Sequence, residues 1–449
     1  MNTLNIKGSP VKGLIGATVG FFFGSAAVSL FGPSAAHLKE HMTLDPTTIG
    51  LLVAIPSLSG SLLRIPFGAW VDTSGGKKPF NILMLLSVIG ILGLSIMFQT
   101  CYPDHMDGLF PLLILFGCLA GCGIATFSVG IGQISYWFSQ QKQGSALGIY
   151  AGIGTLAPGL FALLLPLFLA RYSLVSAYWC WTVFLLLGTV LYWVLGQNAP
   201  YFQYMKHGDT AAQARTDATA EGEQLFPKGN MKQSLAASAK VPATWVLTAL
   251  YFSTFGGFLA LTSWYPTFWK SYFHESAIMA GVLTASFSMF SAAVRVVGGP
   301  LSDKIGGRAL CMLSMFMMLA GGVGMMFSSD FGWAIAFTIL LAIAMGFNNA
   351  AVFKLVPFYV PQAVGGASGW VGGFGAFGGF VIPPVMGVVV SLMGTRGYLT
   401  GFGVFALLAV ISIITLYFGL MRGKAKLMAD EIARRKSAGQ ATSQQPAQK

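Results

Sequence analysis

Two arginines, Arg64 and Arg295, each lie inside a long apolar stretch, where a charged side chain is unusual. A charge at bilayer depth costs about 2.5–3.5 kcal/mol, so a residue of this kind is a functional candidate by default. Arg64 lies eight residues before Asp72, and Arg295 lies eight residues before Asp303. At about 1.5 Å per residue, this separation is about 12 Å of a core about 30 Å thick. We therefore expect both guanidinium groups near the middle of a membrane.

The acidic residues offer these two arginines no partner at that depth. All fourteen Asp and Glu residues fall in predicted loops or tails. An unpaired buried charge is expensive, so an anion from solution is the natural counter-charge. The planar donor fork of guanidinium suits a small planar oxyanion such as nitrate, nitrite or a carboxylate. The alternative is that each arginine caps carbonyl groups in a broken helix.

Composition decides which elements hold these arginines. The chain has 449 residues, of which 55% are apolar and only 9% are charged, against about 25% charged in a typical soluble domain. This excludes an ordinary soluble enzyme and a disordered regulator. The net charge of +12 does not indicate a nucleic-acid binder, because the basic residues are spread between apolar runs. The remaining class is an all-α polytopic membrane protein.

Twelve apolar runs are long enough to span a bilayer. They cover about 13–36, 47–70, 79–99, 109–137, 144–168, 175–195, 243–270, 278–300, 309–327, 332–357, 364–391 and 397–421. The longest polar interruption divides them six and six. We therefore predict four units: a six-helix bundle at 1–197, a cytoplasmic linker at 198–240, a second six-helix bundle at 241–421 and a cytoplasmic tail at 422–449.

The distribution of Lys and Arg predicts the orientation in the membrane. With both termini cytoplasmic, nineteen basic residues face the cytoplasm and four face the opposite side. This favours a multi-pass protein of the cytoplasmic membrane. Lys354, in the tenth run, is the third basic residue within a span. It is a candidate for proton coupling; the alternatives are a fixed positive charge and a lysine that snorkels to the surface.

The two predicted halves repeat a loop pattern. Arg64 is followed by Gly68, Asp72 and a Gly-Gly-Lys sequence, and Arg295 is followed at the same spacing by Gly299, Asp303 and Gly-Gly-Arg. A glycine series in the fifth run (Gly144, Gly148, Gly152 and Gly154) also aligns with one in the eleventh (Gly365, Gly369, Gly373 and Gly375). Such repeats are typical of a transporter with its substrate site between two halves. Each aspartate could bond a helix N-terminus or a basic group in one conformation and release it in another; the alternative is a plain charged turn.

The repeated loop resembles the signature of the major facilitator superfamily. Within it, the chain is similar to the nitrate/nitrite porter family, through the two arginines, the segments 126–138 and 251–255, and the glycine-rich stretch 369–379. The resemblance implies that the arginines bind the anion and that Phe127, Tyr251 and Phe255 sandwich it. It also implies that close-packed glycines let the fifth and eleventh spans move, and we add Gly154, Gly373 and Gly375 to the candidate binding residues.

One position departs from the family pattern. Where the family has Gly-Asn-x-Gly in the fifth span, this chain has Gly154, Thr155, Leu156 and Ala157. Asn offers a donor and an acceptor, whereas Thr155 offers one hydroxyl. Asn348 and its neighbour Asn349 are polar residues that could compensate.

The sequence therefore predicts a secondary transporter of nitrate, nitrite or both, which works by alternating access between two six-helix bundles. Coupling is either nitrate/nitrite exchange, as in an antiporter, or nitrate–proton symport. The first rival is a porter for a formate- or oxalate-like carboxylate, and the second is a sensor that binds an anion without turnover. We expect no enzyme activity, no metal or organic cofactor, no nucleic-acid partner, and a monomer in the lipid bilayer.

Overall fold

The computed structural model describes residues 6–31, 34, 38, 41, 42, 46–169, 171–227 and 229–422. All regular elements in these ranges are helices, and eleven of the described segments are long and apolar enough to cross a membrane. The predicted tail lies outside the described residues, apart from Arg422.

Several helices of the first predicted half follow one another directly. The helices of this half are α1 (Pro10–Ser25), α2 (Pro46–Leu62), α3 (Arg64–Ser74), α4 (Lys77–Cys101), α5 (Phe110–Gly121), α6 (Thr126–Trp137), α7 (Gln143–Gly154), α8 (Leu156–Leu169) and α9 (Leu174–Leu195). The 3-10 turns Ala26–Ser29 and Cys122–Ala125 follow α1 and α5.

The second predicted span is divided into α2 and α3 by a break at Leu63. Pro66 causes this break, because it has no N–H to donate and its ring crowds the carbonyl group four residues earlier, that of Leu62. With 17 and 11 residues, neither piece has the length of a full span. Eleven described segments have the length and hydropathy of a span where the sequence pattern predicts twelve, and the second predicted span is the one not among them. The break also makes Arg64 the first residue of α3.

The predicted linker contains short helices, and the second half contains the longest ones. Those of the linker are α10 (Pro200–His207), α11 (Ala211–Ala220) and α12 (Met231–Ala239). Those that follow are α13 (Pro242–Tyr251), α14 (Gly257–Tyr272), α15 (Ala277–Ile305), α16 (Gly307–Met326), α17 (Phe331–Tyr359), α18 (Val364–Met393), α19 (Gly397–Thr400) and α20 (Gly403–Leu416). A π turn, Phe252–Gly256, joins α13 to α14; the 3-10 turn Gly394–Arg396 precedes α19, and a second π turn, Tyr417–Met421, follows α20.

Local signals explain why the polar linker is helical. A capping box begins α11, with Thr210 and Gln213 bonded to each other's backbone, and a second one begins α12, with Asn230 and Gln233. Each box satisfies two N–H groups that a helix start leaves without partners. The linker is therefore built of defined helices at these positions.

Glycines let helices of the two predicted halves approach each other at backbone distance. A Cβ atom on Gly148 of α7 would lie 2.8 Å from the Cα atom of Gly299 on α15. A Cβ atom on Gly68 of α3 would lie 3.1 Å from the Cα atom of Gly369 on α18. These two close contacts, α7 with α15 and α3 with α18, place the helices that carry Arg64 and Arg295 at the interface between the halves.

Candidate anion site

Arg64 is buried at the interface between the two predicted halves. Its side chain is 1% exposed. The Nη1 atom donates to the carbonyl oxygen of Gly372 at 3.1 Å, and Nη2 donates to that of Ile124 at 3.4 Å. The carbonyl-capping alternative thus describes part of what Arg64 does, because both of these partners are backbone oxygens.

Arg295 is held differently. It is 2% exposed, and its Nη2 atom donates to the hydroxyl oxygen of Tyr251 at 3.1 Å. Its Nε and Nη1 atoms, and the Nε atom of Arg64, are buried without a hydrogen-bond partner. Neither arginine takes part in an ion pair within the described residues. The pair therefore combines two buried positive charges with three unused donors, an arrangement that an anion would complete.

Aromatic rings lie against both guanidinium groups. The ring of Phe127 stacks with those of Phe255 and Tyr251 at centroid distances of 5.9 and 6.1 Å, in each case with an interplanar angle of 14°. The Cζ atom of Arg64 lies 4.8 Å from the Phe127 centroid and 5.3 Å from that of Phe255. The Cζ atom of Arg295 lies 5.1 and 5.5 Å from the same two centroids. The five predicted residues therefore form one cluster, in which two cations lie over the same two rings.

Two further aromatic residues belong to this cluster and were not among the sequence candidates. The ring of Phe353 meets Phe127 and Tyr251 edge-on, at centroid distances of 4.9 and 4.8 Å. Tyr150 donates from its hydroxyl group to the carbonyl oxygens of Thr126 and Phe127, at 2.9 and 3.1 Å. In a chain with 36 Phe and 14 Tyr, nothing in the spacing distinguishes these two from packing residues.

The predicted polar residues separate into two groups. Thr155 and Asn349 line a narrow cavity beside Arg295, together with Phe255 and Ser291, and in this conformation it is too narrow to admit a water molecule. Asn348 is not among the residues that line it: its amide nitrogen donates to backbone and side-chain oxygens of the α13–α14 segment. The structure thus brings Asn349, and not Asn348, to the arginine.

The predicted glycines have packing contacts. A Cβ atom on Gly375 would overlap the Tyr251 ring, and one on Gly154 would overlap the ring of Phe21. A Cβ atom on Gly373 would lie 2.7 Å from a side-chain carbon of α3. Gly375 therefore makes room for a residue that contacts Arg295, while Gly154 and Gly373 bring helices together.

Comparison with known proteins identifies the fold. The family model of the Major Facilitator Superfamily matches residues 17–363 and residues 247–444. The chain belongs to the Major Facilitator Superfamily. Among solved structures, the proton:xylose symporter XylE has a TM-score of 0.74 at 13% identity, covering 92% of this chain and 96% of that one. The human organic anion transporter MFSD10 has a TM-score of 0.67 at 15% identity, covering 91% and 100%. The predicted all-α major facilitator fold is confirmed, and this facilitator is a multi-pass membrane transporter and not an enzyme.

Several curated relatives of this facilitator have related names. The "Probable nitrate/nitrite transporter NarK2" of Mycobacterium tuberculosis is 29% identical over 80% of this chain and 84% of its own length. The "Nitrite extrusion protein" of Bacillus subtilis is 28% identical over 84% and 87%. The "Probable nitrate/nitrite antiporter NarK1" of Thermus thermophilus is 26% identical over 90% of each chain. The predicted resemblance to this porter family is thus confirmed.

The first repeated aspartate of this facilitator joins the two predicted halves. Asp72, 3% exposed, accepts hydrogen bonds from the backbone N–H groups of Gly365 and Gly366, at 3.0 and 3.1 Å, where α18 begins. It also accepts from the hydroxyl groups of Tyr136, at 2.6 Å, and of Ser234 in the linker helix α12. Asp72 thus caps a helix of the opposite half, as one of the two alternatives expects.

The second repeated aspartate does the same in the other direction. Asp303 accepts from the N–H and hydroxyl groups of Ser145, at 2.8 and 2.6 Å, where α7 begins. Lys354 forms an ion pair with the same carboxylate. Lys354 lies five residues before the end of α17, and its side chain is 18% exposed. Asp72 in α3 and Asp303 in α15 thus lie in helices and not in the predicted loops. Lys354 lies beside Asp303 and not in the arginine cluster.

Proposed function

We propose that this facilitator carries nitrate, nitrite or both across the cytoplasmic membrane by alternating access. The observation that carries the proposal is the pair of buried arginines, with three unused donors, over the same aromatic rings. A planar oxyanion supplies the missing negative charge and the missing acceptors together. The names of the curated relatives support the same substrates.

Exchange is the form of coupling that we propose. In the described part of the chain, neither arginine forms an ion pair with a carboxylate, so no acidic partner is placed there to carry a proton with the anion. Two buried arginines are stabilised when an anion lies between them. The protein would therefore change between its two access conformations mainly with the anion bound, which is the requirement for exchange. Proton symport through Lys354 is the competing form, in which the pair with Asp303 opens when the lysine loses its proton.

The arrangement in the membrane belongs to the same proposal. The excess of basic residues supports cytoplasmic termini and a cytoplasmic linker between two six-helix bundles, at the boundaries predicted above. We propose that one chain is sufficient for transport, because both arginines of the site come from the same chain.

Counterflow in proteoliposomes tests the proposal. Vesicles loaded with nitrite receive labelled nitrate outside, at equal pH, with the variants Arg64→Lys and Arg295→Lys and the exposed Arg171→Lys as the matched control. Lysine keeps the charge but loses the donor fork, so we expect uptake to fall by about tenfold or more in the first two variants. Uptake should be unchanged in the control.

The alternatives give different results in the same vesicles. Uptake that ignores internal nitrite but follows an imposed pH gradient would establish symport. Uptake of oxalate or formate without nitrate or nitrite would replace the proposal by a carboxylate porter, for which the departure at Thr155 is the specific argument.

A further inference from the structure

The cavity beside Arg295 has a donor that the sequence comparison does not assign. Two guanidinium nitrogens of Arg295, Nε and Nη1, are without hydrogen-bond partners, and Thr155 and Asn349 line the same cavity. Thr155 stands where the porter family has Asn. Which of these two residues can donate to an anion follows from where their own hydrogens go.

The hydroxyl proton of Thr155 is already used. Its Oγ1 atom lies 2.7 Å from the carbonyl oxygen of Ala151 and 3.1 Å from that of Gly152, one turn earlier on α7. A hydroxyl group has one proton. Thr155 therefore has no hydroxyl proton left to donate to an anion.

The amide group of Asn349 is oriented by a chain of hydrogen bonds. Asn348 donates from Nδ2 to the hydroxyl oxygen of Thr254 at 2.8 Å and to the carbonyl oxygen of Leu250 at 3.3 Å. The Thr254 hydroxyl lies 2.8 Å from Oδ1 of Asn349 and 3.0 Å from the same Leu250 carbonyl. The contact to Asn349 is the shorter of the two, so the threonine proton goes to Asn349. This assigns the amide oxygen of Asn349 to Thr254 and leaves its NH₂ group for the cavity.

We infer that Asn349 donates to the third oxygen of nitrate and thereby sets the preference for nitrate over nitrite. The inference rests on the proposed function and identifies a specificity residue in the same site. The guanidinium fork of Arg295 can bind two oxygens of either anion. Nitrate has a third oxygen and nitrite has none, so a donor beyond the fork stabilises bound nitrate alone. Asn348 and Thr254 are positioning residues, because they act by orienting the amide group.

The test compares Asn349→Leu with Thr189→Val, a control that removes a buried polar group at nearly constant size from α9, outside the residues that line the cavity. Counterflow gives the half-saturating concentrations of external nitrate and nitrite for each variant. We expect Asn349→Leu to raise the value for nitrate by about tenfold and that for nitrite by less than about twofold. Thr189→Val should change both by less than about twofold, because its hydroxyl bonds only its own helix, at the carbonyl oxygen of Leu185.

The other outcomes are equally informative. An unchanged nitrate-to-nitrite ratio in Asn349→Leu, or an equal rise for both anions, overturns the inference and makes Asn349 a packing residue. If the leucine variant does not reach the membrane, Asn349→Ala and calorimetric titration of the purified protein with nitrate and nitrite give the same ratio. No uptake of either anion by the unaltered chain would reject the proposed function itself, whereas an unchanged ratio with normal uptake rejects only the role of Asn349.

Discussion

The two repeated aspartates perform the same mechanical task with different chemistry. Asp72 caps α18 and Asp303 caps α7, so each carboxylate from one predicted half holds the start of a helix in the other. Asp72 is almost completely buried and accepts only from neutral N–H and O–H groups. Asp303 has a side chain that is 15% exposed and forms an ion pair with Lys354. One contact is therefore a buried hydrogen-bond network, and the other is a partly solvated ionic contact.

The difference comes from residues that the repeat does not contain. Ser234 belongs to the linker, which has no counterpart in the repeated spans, and the neighbouring Leu235 accepts a hydrogen bond from Trp370 of α18 at 3.1 Å. The linker helix α12 thus contacts both Asp72 and α18, and it stabilises the contact between the two halves at this position. Beside Lys354, a cavity of about 410 Å³ is lined by Arg308 and Gln140, among others. The repeated pattern determines where each carboxylate lies. Residues outside the repeat determine how strongly the carboxylate is held and whether solvent reaches it.

The largest effect on this asymmetry is expected from Asp72→Asn. A hydrogen bond to a charged group is worth about 1.5–3 kcal/mol, and Asp72 accepts several of them. The asparagine NH₂ group would also face donors. We expect the contact between the two halves at Asp72 to weaken by more than tenfold. The measurement is the rate of thiol labelling of a single cysteine that replaces the buried Ser368, in a chain whose native cysteines have been removed.

The matched control is Asp330→Asn. Asp330 also caps a helix, through the N–H group of Trp333 at 3.1 Å, but it accepts within its own half, and asparagine is an equally good cap there. Equal labelling in the two variants would show that Asp72 does not hold the halves together.

A second effect is expected in the linker, from Glu223. Burial raises the pKa of the Glu223 carboxyl group to about 8 from an ordinary value of 4.5, although one oxygen accepts from the N–H group of Tyr201 at 2.9 Å. Because the folded linker binds this proton more tightly than the unfolded one, the stability contribution is greatest at low pH. It decreases as the pH rises from 4.5 towards 8.

Hydrogen exchange of α11 and α12 measures this contribution, with Glu223→Gln as a permanently neutral reference at each pH. Between about pH 6 and pH 7.5, protection in the unaltered chain should fall relative to the glutamine variant by up to about tenfold per pH unit. A constant ratio over this range would mean that Glu223 does not stabilise the linker through its proton.

Part of this site is predictable from the sequence for physical reasons. Charge is so costly in a bilayer that Arg64 and Arg295 are visible in hydropathy alone, and the repeat pairs them. The ring partners are not visible in this way, because a packing Phe and a ligand-facing Phe are buried alike; Phe127 and Phe255 were identified only through the family resemblance. The choice of Asn349 over Asn348 depends on the direction of hydrogen bonds around Thr254, and the Lys354–Asp303 pair on how α15 packs against α17. Neither is encoded in spacing along the chain.

The smallest effect is expected at the Asp303 contact, from Lys354→Gln. A partly exposed ion pair contributes about 0.2–1 kcal/mol, and salt screens it. The cysteine at position 368 should therefore be labelled a few-fold faster in this variant. A rise in ionic strength, set with a large organic anion, should speed labelling of the chain that keeps Lys354 but hardly that of the variant. The buried Asp72 network is not screened, so the salt dependence isolates the ionic contact. A salt response of labelling that persists in Lys354→Gln would show that the response does not come from this ion pair. Loss of pH-driven uptake in the same variant, with unchanged exchange, would identify the lysine as the proton carrier of a symporter.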